Sequence, residues 1–343
     1  MPIPLSILDV SPIVSGSSSS QALHNSIDLA RFADTRGYTR HWFAEHHNSP
    51  GIASTTPDIM IGQVARETSH IRVGSGGVML PNHSPLKVAE SFRLLEALYP
   101  GRIDLGIGRA PGTDMMTALA LRRSREALEA DDFPQELGEL LAFSMGTFPA
   151  EHPFKTITAY PNDVKLPPIW LLGSSGFSSQ LSAELGMGFA FAHHINGNFA
   201  IPAMKLYRER FKPSAEFPQP HAILAVSVIA ADTDAEAEDL ALSVQYAFLS
   251  LQTGRSGPLA SPAEVRAAHL TDVERMQLNA IRDRHFVGSP ATVHEQLLPL
   301  IEQTQADELM ILTMVHDHAA RKHSYDLLAD SFEVQPVAVR TMS

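Results

Sequence analysis

The chain has 343 residues, of which 44% are hydrophobic and 19% are charged, a composition typical of globular proteins that excludes disordered and collagen-like chains. The formal net charge of -12 disfavours nucleic acid as a partner, because an acidic surface repels phosphates. The absence of cysteine excludes disulfides, thiolate metal sites and cysteine nucleophiles.

The N-terminal segment and the lengths of the apolar runs indicate where the protein acts. The opening sequence MPIPLSILDVSP has no basic residue ahead of its apolar stretch, so we predict no signal peptide. No apolar run approaches the roughly 18 residues that a membrane span requires. We therefore expect a cytoplasmic protein without a membrane segment.

Eight short apolar runs are predicted as β-strands. They are continuously apolar instead of alternating, which is typical of strands that are buried on both faces of a parallel sheet. In chain order they are Leu5–Val10, His41–Ala44, Ile71–Leu80, Ile103–Ile107, Ile169–Leu172, Phe189–Ala192, Ile223–Ala230 and Leu309–Met314.

Longer segments with helical signals lie between these runs. Several have proline at or near the first turn, and glycines such as Gly37 and Gly186 follow the helix ends at positions that suit C-terminal caps. The predicted helices include Gln21–Arg36, Pro57–Thr68, Pro85–Leu98, Phe177–Leu185, Ala235–Leu251 and Pro290–Gln303.

This alternation predicts an α/β fold, namely a (β/α)8 TIM barrel. Such a barrel usually takes about 250 residues, so roughly 90 residues remain for insertions. We expect one insertion after strand 4, at Phe143–Pro168, and another after helix 7, at Gln252–Val287. No linker divides the chain, so we expect one domain over residues 1–343.

A doubly wound nucleotide-binding fold is the weaker alternative. It requires GxGxxG after the first strand, whereas this strand ends in the sequence LDVSP. The glycines between Gly106 and Gly112 have the wrong spacing, and the chain contains no GxxxxGK[ST] phosphate loop.

In a barrel, active-site groups lie where strands end and the following loops begin. Five of the 16 histidines fall at three of these strand ends. The polar candidates, in chain order, are Asp9 and Ser11, Glu45–Asn48, Asn82 and His83, Arg109, Gly173–Gly176, and His193–Asn196.

Clustered histidines raise the question of a metal site. Two inward histidines together with Glu45 or Asp9 have suitable ligand chemistry. However, the chain contains no HExxH, and strand 1 lacks the HxH of barrel metallohydrolases. We therefore predict no metal, and the alternative is that these histidines donate hydrogen bonds to backbone carbonyls.

Two strand ends suggest a phosphate site. The Gly173–Gly176 loop precedes a helix, whose first N–H groups can point at an anion. Arg109 carries a guanidinium suited to bidentate phosphate binding. The alternatives are an ordinary helix cap and a surface ion pair, but the two signals on adjacent strands favour phosphate.

Strand 3 contains four consecutive small residues, Gly74–Gly77, inside a β-branched run. Such a stretch indicates a bulge or a backbone that a ligand approaches closely. A tightly packed barrel interior explains it equally well, so both interpretations stay open.

These motifs resemble the bacterial luciferase-like flavin monooxygenases, and in particular their uncharacterised single-chain branch. The resemblance spans most of the chain apart from the two predicted insertions. It rests on the blocks WFAEHHN, IRVGSGGVMLPNHSPLKVAE, GRIDLGIGRAPGTD, PPIWLLGSSGFSSQLSAELGMGFAFAHH, VGSPATVHEQLLPLI and TQADELMILTMVHD.

The resemblance implies an FMN-dependent barrel enzyme, usually a homodimer, that uses reduced FMN as co-substrate and O2 on a small organic substrate. It implies that His46 acts in acid–base chemistry beside the flavin, with His47, which faces the other way, as the second catalytic candidate. It places a non-prolyl cis peptide, which supports the flavin ring, in the stretch that matches Ser75–Gly76. The phosphate would be held by Arg109 and by Gly173, Ser174 and Ser175.

The sequence also departs from the light-emitting enzymes. Those enzymes have cysteine where this chain has Gly108, and the pair His193-His194 is not a feature of their subunits. Aldehyde specificity is therefore not implied, and the two histidines suggest a different substrate pocket.

The sequence and the resemblance leave three functions open. They are an FMN monooxygenase, a reductase of the same superfamily that uses coenzyme F420 or bound flavin for hydride transfer, and a flavin-binding protein with little catalysis. A monooxygenase of this kind implies a separate NAD(P)H flavin reductase as partner, because the chain has no NAD(P)H-binding fingerprint.

Overall fold

The computed structural model describes residues 3–129 and 132–337. Its ten strands are β1 (Leu5–Asp9), β2 (Arg40–Phe43), β3 (Arg72–Ser75), β4 (Val78–Met79), β5 (Ile103–Gly108), β6 (Ile169–Gly173), β7 (Gly188–Ala192), β8 (Ala222–Ala230), β9 (Phe286–Gly288) and β10 (Glu308–Leu312).

Fourteen α-helices occur within the described residues. They are α1 (Ser19–Arg36), α2 (Pro57–Glu67), α3 (Pro85–Leu98), α4 (Met115–Arg122), α5 (Arg125–Glu129), α6 (Phe133–Met145), α7 (Gly176–Leu185), α8 (His193–Asn196), α9 (Ala200–Arg210), α10 (Asp234–Gln252), α11 (Pro262–Ala267), α12 (Asp272–Arg282), α13 (Pro290–Thr304) and α14 (His318–Ser331). None of these helices has the length and apolar character to cross a membrane.

Eight of the strands form a closed parallel barrel. Their order around it is β1, β2, β3, β5, β6, β7, β8 and β10, and β10 pairs with both β8 and β1. The short strand β4 continues the course of β3 and pairs with β5, and β9 extends the pairing at the far end of β8. This confirms the predicted TIM barrel, in which the third predicted strand is interrupted between Ser75 and Val78.

The continuous apolar runs are explained by burial on both faces of each strand. In β8, Ile223 and Ala225 pack in the barrel interior with Trp42, whereas Leu224 and Val226 pack outward beneath the helices. Successive strand residues point to opposite faces, so a strand covered on both sides has no polar alternation.

The amino ends of the strands are closed by buried ion pairs. Arg40 pairs with Asp104 at 2.8 Å and with Glu308 at 2.9 Å, and both carboxylates are fully buried. Trp42 Nε1 donates to the same Asp104 at 3.0 Å. A depression of about 400 Å³ beside Arg40 and Trp170 lies at this end, away from the strand-end histidines.

The first predicted insertion lies between α6 and β6, where Phe143, Phe148 and Phe154 pack together. The second begins earlier than predicted. The helices that surround the barrel form a ring around its strands. Helix α13 packs against α9 and α14 and is therefore the seventh helix of this ring. Helix α10 packs instead against α11, α12 and β9. The apolar face of α10 buries Ala237 and Val244 against β9 and the end of β8. The insertion therefore runs over residues 234–287, before the seventh ring helix.

Candidate active site

The polar strand-end residues meet at one end of the barrel, where the carboxyl ends of the strands open. This end is the mouth of the barrel. The second insertion covers part of it, because Leu259 exchanges backbone hydrogen bonds with Ile13 and Ser15 in the loop after β1, at 2.7 Å and 2.9 Å. Site residues from distant parts of the sequence are therefore neighbours, as the barrel prediction requires.

Glu45, which follows β2, organises one wall of the mouth. Its fully buried carboxylate accepts hydrogen bonds from His47 Nε2 at 2.8 Å, from His83 Nε2 at 2.9 Å and from the Met79 amide at 3.0 Å. Burial alone would raise the pKa of Glu45, but the bonds from His83, His47 and Met79 lower it below its usual range. Glu45 is therefore an anion that fixes two loops, and it is not free to bind a ligand.

His46 differs from its neighbour His47 because its ring makes no hydrogen bond within the described residues. Its backbone N–H donates to the Ser54 carbonyl at 3.0 Å, which fixes the main chain, while Nδ1 is buried without a partner. Burial lowers the pKa of His46, Glu45 raises it and His47 lowers it, and the net effect is a pKa below the usual value. The two histidines thus face different surroundings, and His46 is the one with a free ring.

Asp9, the carboxylate at the end of β1, is engaged in an ion pair. Asp9 pairs with Arg321 of α14 at 2.8 Å and lies 3.3 Å from His41 Nε2. Burial raises the pKa of Asp9, but Arg321 and His41 lower it far below its usual range. Among residues 3–129 and 132–337, no three His, Asp or Glu side chains are grouped as a metal ion would require.

The small residues between β3 and β4 pack closely against neighbouring strands. A Cβ on Gly76 would lie 2.7 Å from Leu8 Cδ1, and one on Gly77 would lie 2.8 Å from the Gly106 carbonyl oxygen. Ser75 is fully buried and its hydroxyl donates to that same carbonyl at 2.8 Å. Packing therefore accounts for these small residues, and Ser75 supports the wall of the mouth.

A non-prolyl cis peptide bond joins Gly76 to Gly77. The resemblance had placed such a bond in the stretch matching Ser75–Gly76, so its position is corrected by one bond. The third predicted strand is interrupted at this bond, between the end of β3 and the start of β4.

The two predicted phosphate elements are adjacent. The exposed Arg109 guanidinium stacks on the Phe177 ring, 4.4 Å from its centroid, and forms no ion pair with any described carboxylate. At the start of α7, the Ser175 side chain makes no cap hydrogen bond, which leaves the first-turn N–H groups unfilled.

Gly173 brings the preceding loop close to α7. A Cβ at this position would lie 2.7 Å from Ser178 Cβ and Oγ, so only glycine fits between β6 and the helix. Asn196 Nδ2 holds the same loop by donating to the Ser174 carbonyl at 3.1 Å. A guanidinium, unfilled amide N–H groups and small residues together form a cradle whose chemistry suits the phosphate of FMN.

The wall opposite Glu45 contains further histidines. His194 Nδ1 donates to the Ala225 carbonyl at 3.2 Å, and burial, reinforced by His193 and His46, lowers the pKa of His194 to about 4. His285, which sequence reasoning missed, lies 2.7 Å from Ser227 Oγ through Nδ1, and burial lowers its pKa to about 4. No motif marked His285, because it belongs to the insertion and its neighbours are distant in sequence.

With this geometry established, comparisons with known proteins identify relatives. Residues 4–308 match the family model described as luciferase-like monooxygenase. A protein of Escherichia coli strain K12 named luciferase-like monooxygenase is 44% identical over 328 residues, 96% of each chain. The N-acetyl-S-alkylcysteine monooxygenase of Bacillus subtilis strain 168 is 35% identical over 337 residues, 96% of this chain and 98% of that protein.

Solved structures share the fold. The crystal structure of apo-MsnO8 matches with a TM-score of 0.88 and 39% identity, over 98% of this chain and 100% of that one. An oxygenating 3,6-diketocamphane monooxygenase component of Pseudomonas putida in complex with FMN matches at 0.70 and 20% identity, over 96% and 98%. An F420-dependent secondary alcohol dehydrogenase matches at 0.63 and 14%, over 98% and 100%. The last two likenesses concern the fold alone.

Proposed function

This chain belongs to the luciferase-like monooxygenase family, and on that premise we propose that it is an FMN-dependent monooxygenase that uses FMNH2 and O2 on a small organic substrate. The observation that carries the proposal is Arg109, which forms no ion pair among the described residues and stacks on Phe177 at the start of α7, at the same barrel end as His46. We also propose that residues 1–343 form one catalytic domain.

The phosphate of FMN binds between Arg109 and the Gly173–Ser175 loop in this proposal. Arg109 supplies a charge-assisted bidentate contact, Ser174 and Ser175 add hydroxyl donors, and the first turn of α7 adds amide N–H groups. Phe177 holds the guanidinium in place from one face. Together one positive charge and several O–H and N–H donors would bind the phosphate dianion.

Apolar side chains inside the barrel would hold the flavin ring. Leu8, Leu172 and Ala190 line this part of the barrel, and the Ser75–Gly76 backbone forms its side. These apolar side chains would exclude water from a bound flavin ring.

His46 handles protons at the edge of this space. Bound reduced FMN would supply the electrons that activate O2. The lowered pKa keeps the His46 ring neutral near pH 7, so its nitrogen accepts a proton during turnover and returns it later. His47 is proposed as the supporting member of the pair, since its bond to Glu45 fixes the chain that carries His46.

The substrate class follows from the family only in outline. One relative is named as an N-acetyl-S-alkylcysteine monooxygenase, so S-alkyl thioethers are the first class to test. The reduced flavin comes from a separate NAD(P)H flavin reductase in this proposal.

We further propose a homodimer. Three apolar side chains on α2 and α3 are exposed, namely Ile59 at 69%, Leu94 at 54% and Leu98 at 62%. Leu94 and Leu98 are four residues apart and share one helix face, which a second copy would bury. Light scattering at micromolar concentration is expected to show a dimer, and a monomer would contradict this assignment.

The proposed function is tested by oxygen labelling. The protein is supplied with FMNH2 from a flavin reductase, with 18O2 and with a series of S-alkyl thioethers and other small organic molecules. A monooxygenase is expected to release a product that carries one 18O atom, and the formation of this product is expected to require FMN. Products formed without 18O, or with coenzyme F420 in place of FMN, would contradict the proposal and favour a hydride-transfer enzyme.

A further inference from the structure

His46 and His194 lie on opposite walls of the mouth. Eight strands close the barrel, and β2 and β7 are four places apart in that circle, so their carboxyl ends face each other across the axis. His46 follows β2 and His194 follows β7. A charge on His46 lowers the pKa of His194, which places the two rings within electrostatic reach. The mouth therefore has His46 on one wall and His194 on the opposite wall.

The tautomer of the His194 ring is fixed by the protein. Nδ1 lies 3.2 Å from the Ala225 carbonyl oxygen, and because a carbonyl only accepts, Nδ1 carries the hydrogen. In the neutral ring Nε2 therefore holds a lone pair. Nε2 has no partner among the described residues, and it is not among the atoms sealed from solvent. The side chain is partly exposed, so this acceptor is open to the mouth.

The Ala225 carbonyl fixes the orientation of this ring, and burial keeps it neutral. His193 packs beside Phe286, with centroids 5.5 Å apart, and His285 is anchored on Ser227 at 2.7 Å. The groups that act on His194 are the Ala225 carbonyl, His193 and His46, and His285 in turn responds to His194. Among the described residues, no carboxylate forms an ion pair with His193, His194 or His285, so these contacts supply no counter-ion for a cationic ligand at Nε2.

We propose that His194 is a substrate-binding residue whose Nε2 accepts a hydrogen bond from an uncharged N–H or O–H group next to an apolar part of the substrate. A neutral donor is favoured because burying a charge without a counter-ion costs more than burying a neutral group that forms its hydrogen bond. The apolar part packs against Ala225 and Leu312, which line the adjoining interior. The inference rests on the proposed function, since it places the substrate between His194 and a flavin near His46.

Two probes that differ in one donor test this directly. N-Methylbenzamide has an N–H group, and N,N-dimethylbenzamide lacks it. Each is titrated into protein labelled with 15N-histidine and saturated with oxidised FMN. We expect N-methylbenzamide alone to move the His194 Nε2 resonance towards the position of a protonated nitrogen. The resonance is assigned by its loss in His194→Gln.

Binding constants for the same probes give an independent readout. His194→Leu is expected to weaken N-methylbenzamide about two- to tenfold, the worth of one hydrogen bond, and to leave N,N-dimethylbenzamide unchanged. His194→Gln retains an acceptor and is expected to restore part of the difference. The matched control is His70→Gln, which changes an exposed histidine between α2 and β3, at the opposite end of the barrel, and is expected to leave both constants as they are.

Several results would overturn the inference. They are equal binding of the two probes by the unaltered protein, equal loss of both in His194→Leu, and a static Nε2 resonance with either probe up to its solubility limit. None of these measurements requires O2 or turnover. If the probe measurements fail and 18O is incorporated, only the role of His194 is refuted. If the probe measurements succeed and no 18O is incorporated, the proposed function is refuted.

Discussion

Glu45 and His83 join two loops of the mouth through a single carboxylate–imidazole contact. His83 Nε2 lies 2.9 Å from both carboxylate oxygens of Glu45, although the residues are 38 positions apart in the chain. Burial lowers the pKa of His83, but the bond to Glu45 more than offsets this and raises it above the usual value. Because Glu45 directly precedes His46, this contact fixes the chain that carries the proposed catalytic residue.

The first prediction concerns Glu45→Gln. A histidine whose pKa is raised by folding stabilises the protein below the unfolded pKa of about 6.5, and this contribution is lost as the pH rises through the folded value. The variant should therefore lose more unfolding free energy at pH 6 than at pH 9. The expected loss at pH 6 is about 1–2 kcal/mol, since His83 is one-third exposed and screened. Urea unfolding at the two pH values measures it.

The control for this prediction is a double-mutant cycle. His83→Gln should show the same pH dependence, and the combined variant should lose less than the sum of the two single losses. Additive losses, or a loss that is the same at both pH values, would mean that the two groups do not interact as described.

The second prediction uses one substitution at two glycines. Gly173→Ala should destabilise the protein by about 1–3 kcal/mol, because the added methyl group meets Ser178 at 2.7 Å. Gly138 lies within α6 with no atom near the added methyl, so Gly138→Ala should stabilise the protein by about 0.5–1 kcal/mol. Urea unfolding of both variants gives the comparison. The same sign for both would refute the packing described for the Gly173–Ser175 loop.

The third prediction concerns His46→Asn. Loss of an acid–base group should lower turnover by about 10²–10⁴-fold while leaving the unfolding free energy and FMN affinity nearly unchanged. The measurement is product formation with a substrate found by 18O labelling, together with an FMN titration. His47→Asn is the internal control, and it should affect stability more than turnover because His47 is bonded to Glu45. Near-normal turnover in His46→Asn with loss in His47→Asn would reverse the two roles.

The barrel could be predicted because its strands are encoded by local composition. A run such as Ile223–Ala230 is apolar throughout only because both of its faces are covered. Helix α14 left a weaker signal, because it buries Arg321 on the face that meets Asp9. From the sequence alone, a buried charged residue cannot be distinguished from an exposed one, because its partner is distant in the chain.

The positions of the candidate site residues at one end of the barrel could be predicted, but their contacts could not. Strand ends marked His46, Arg109 and the Gly173–Ser175 loop, because a barrel gathers such positions at one end. The ring position of α13, and with it the true extent of the second insertion, depended on packing between distant elements. His285 was missed for the same reason, since its contact with Ser227 spans 58 residues.

The most direct test of the account is a thermodynamic cycle between the FMN phosphate and Arg109. Anaerobic titrations compare FMN with riboflavin, which lacks the phosphate, on the unaltered protein and on Arg109→Ala. One charge-assisted bidentate contact is worth about 1.5–3 kcal/mol, so Arg109→Ala should weaken FMN at least about tenfold and leave riboflavin unchanged. Arg66→Ala, which removes an exposed cation in the last turn of α2, should change neither affinity. Equal affinity of the two proteins for FMN, or an equal loss for riboflavin, would contradict the placement of the phosphate and with it the proposed active site.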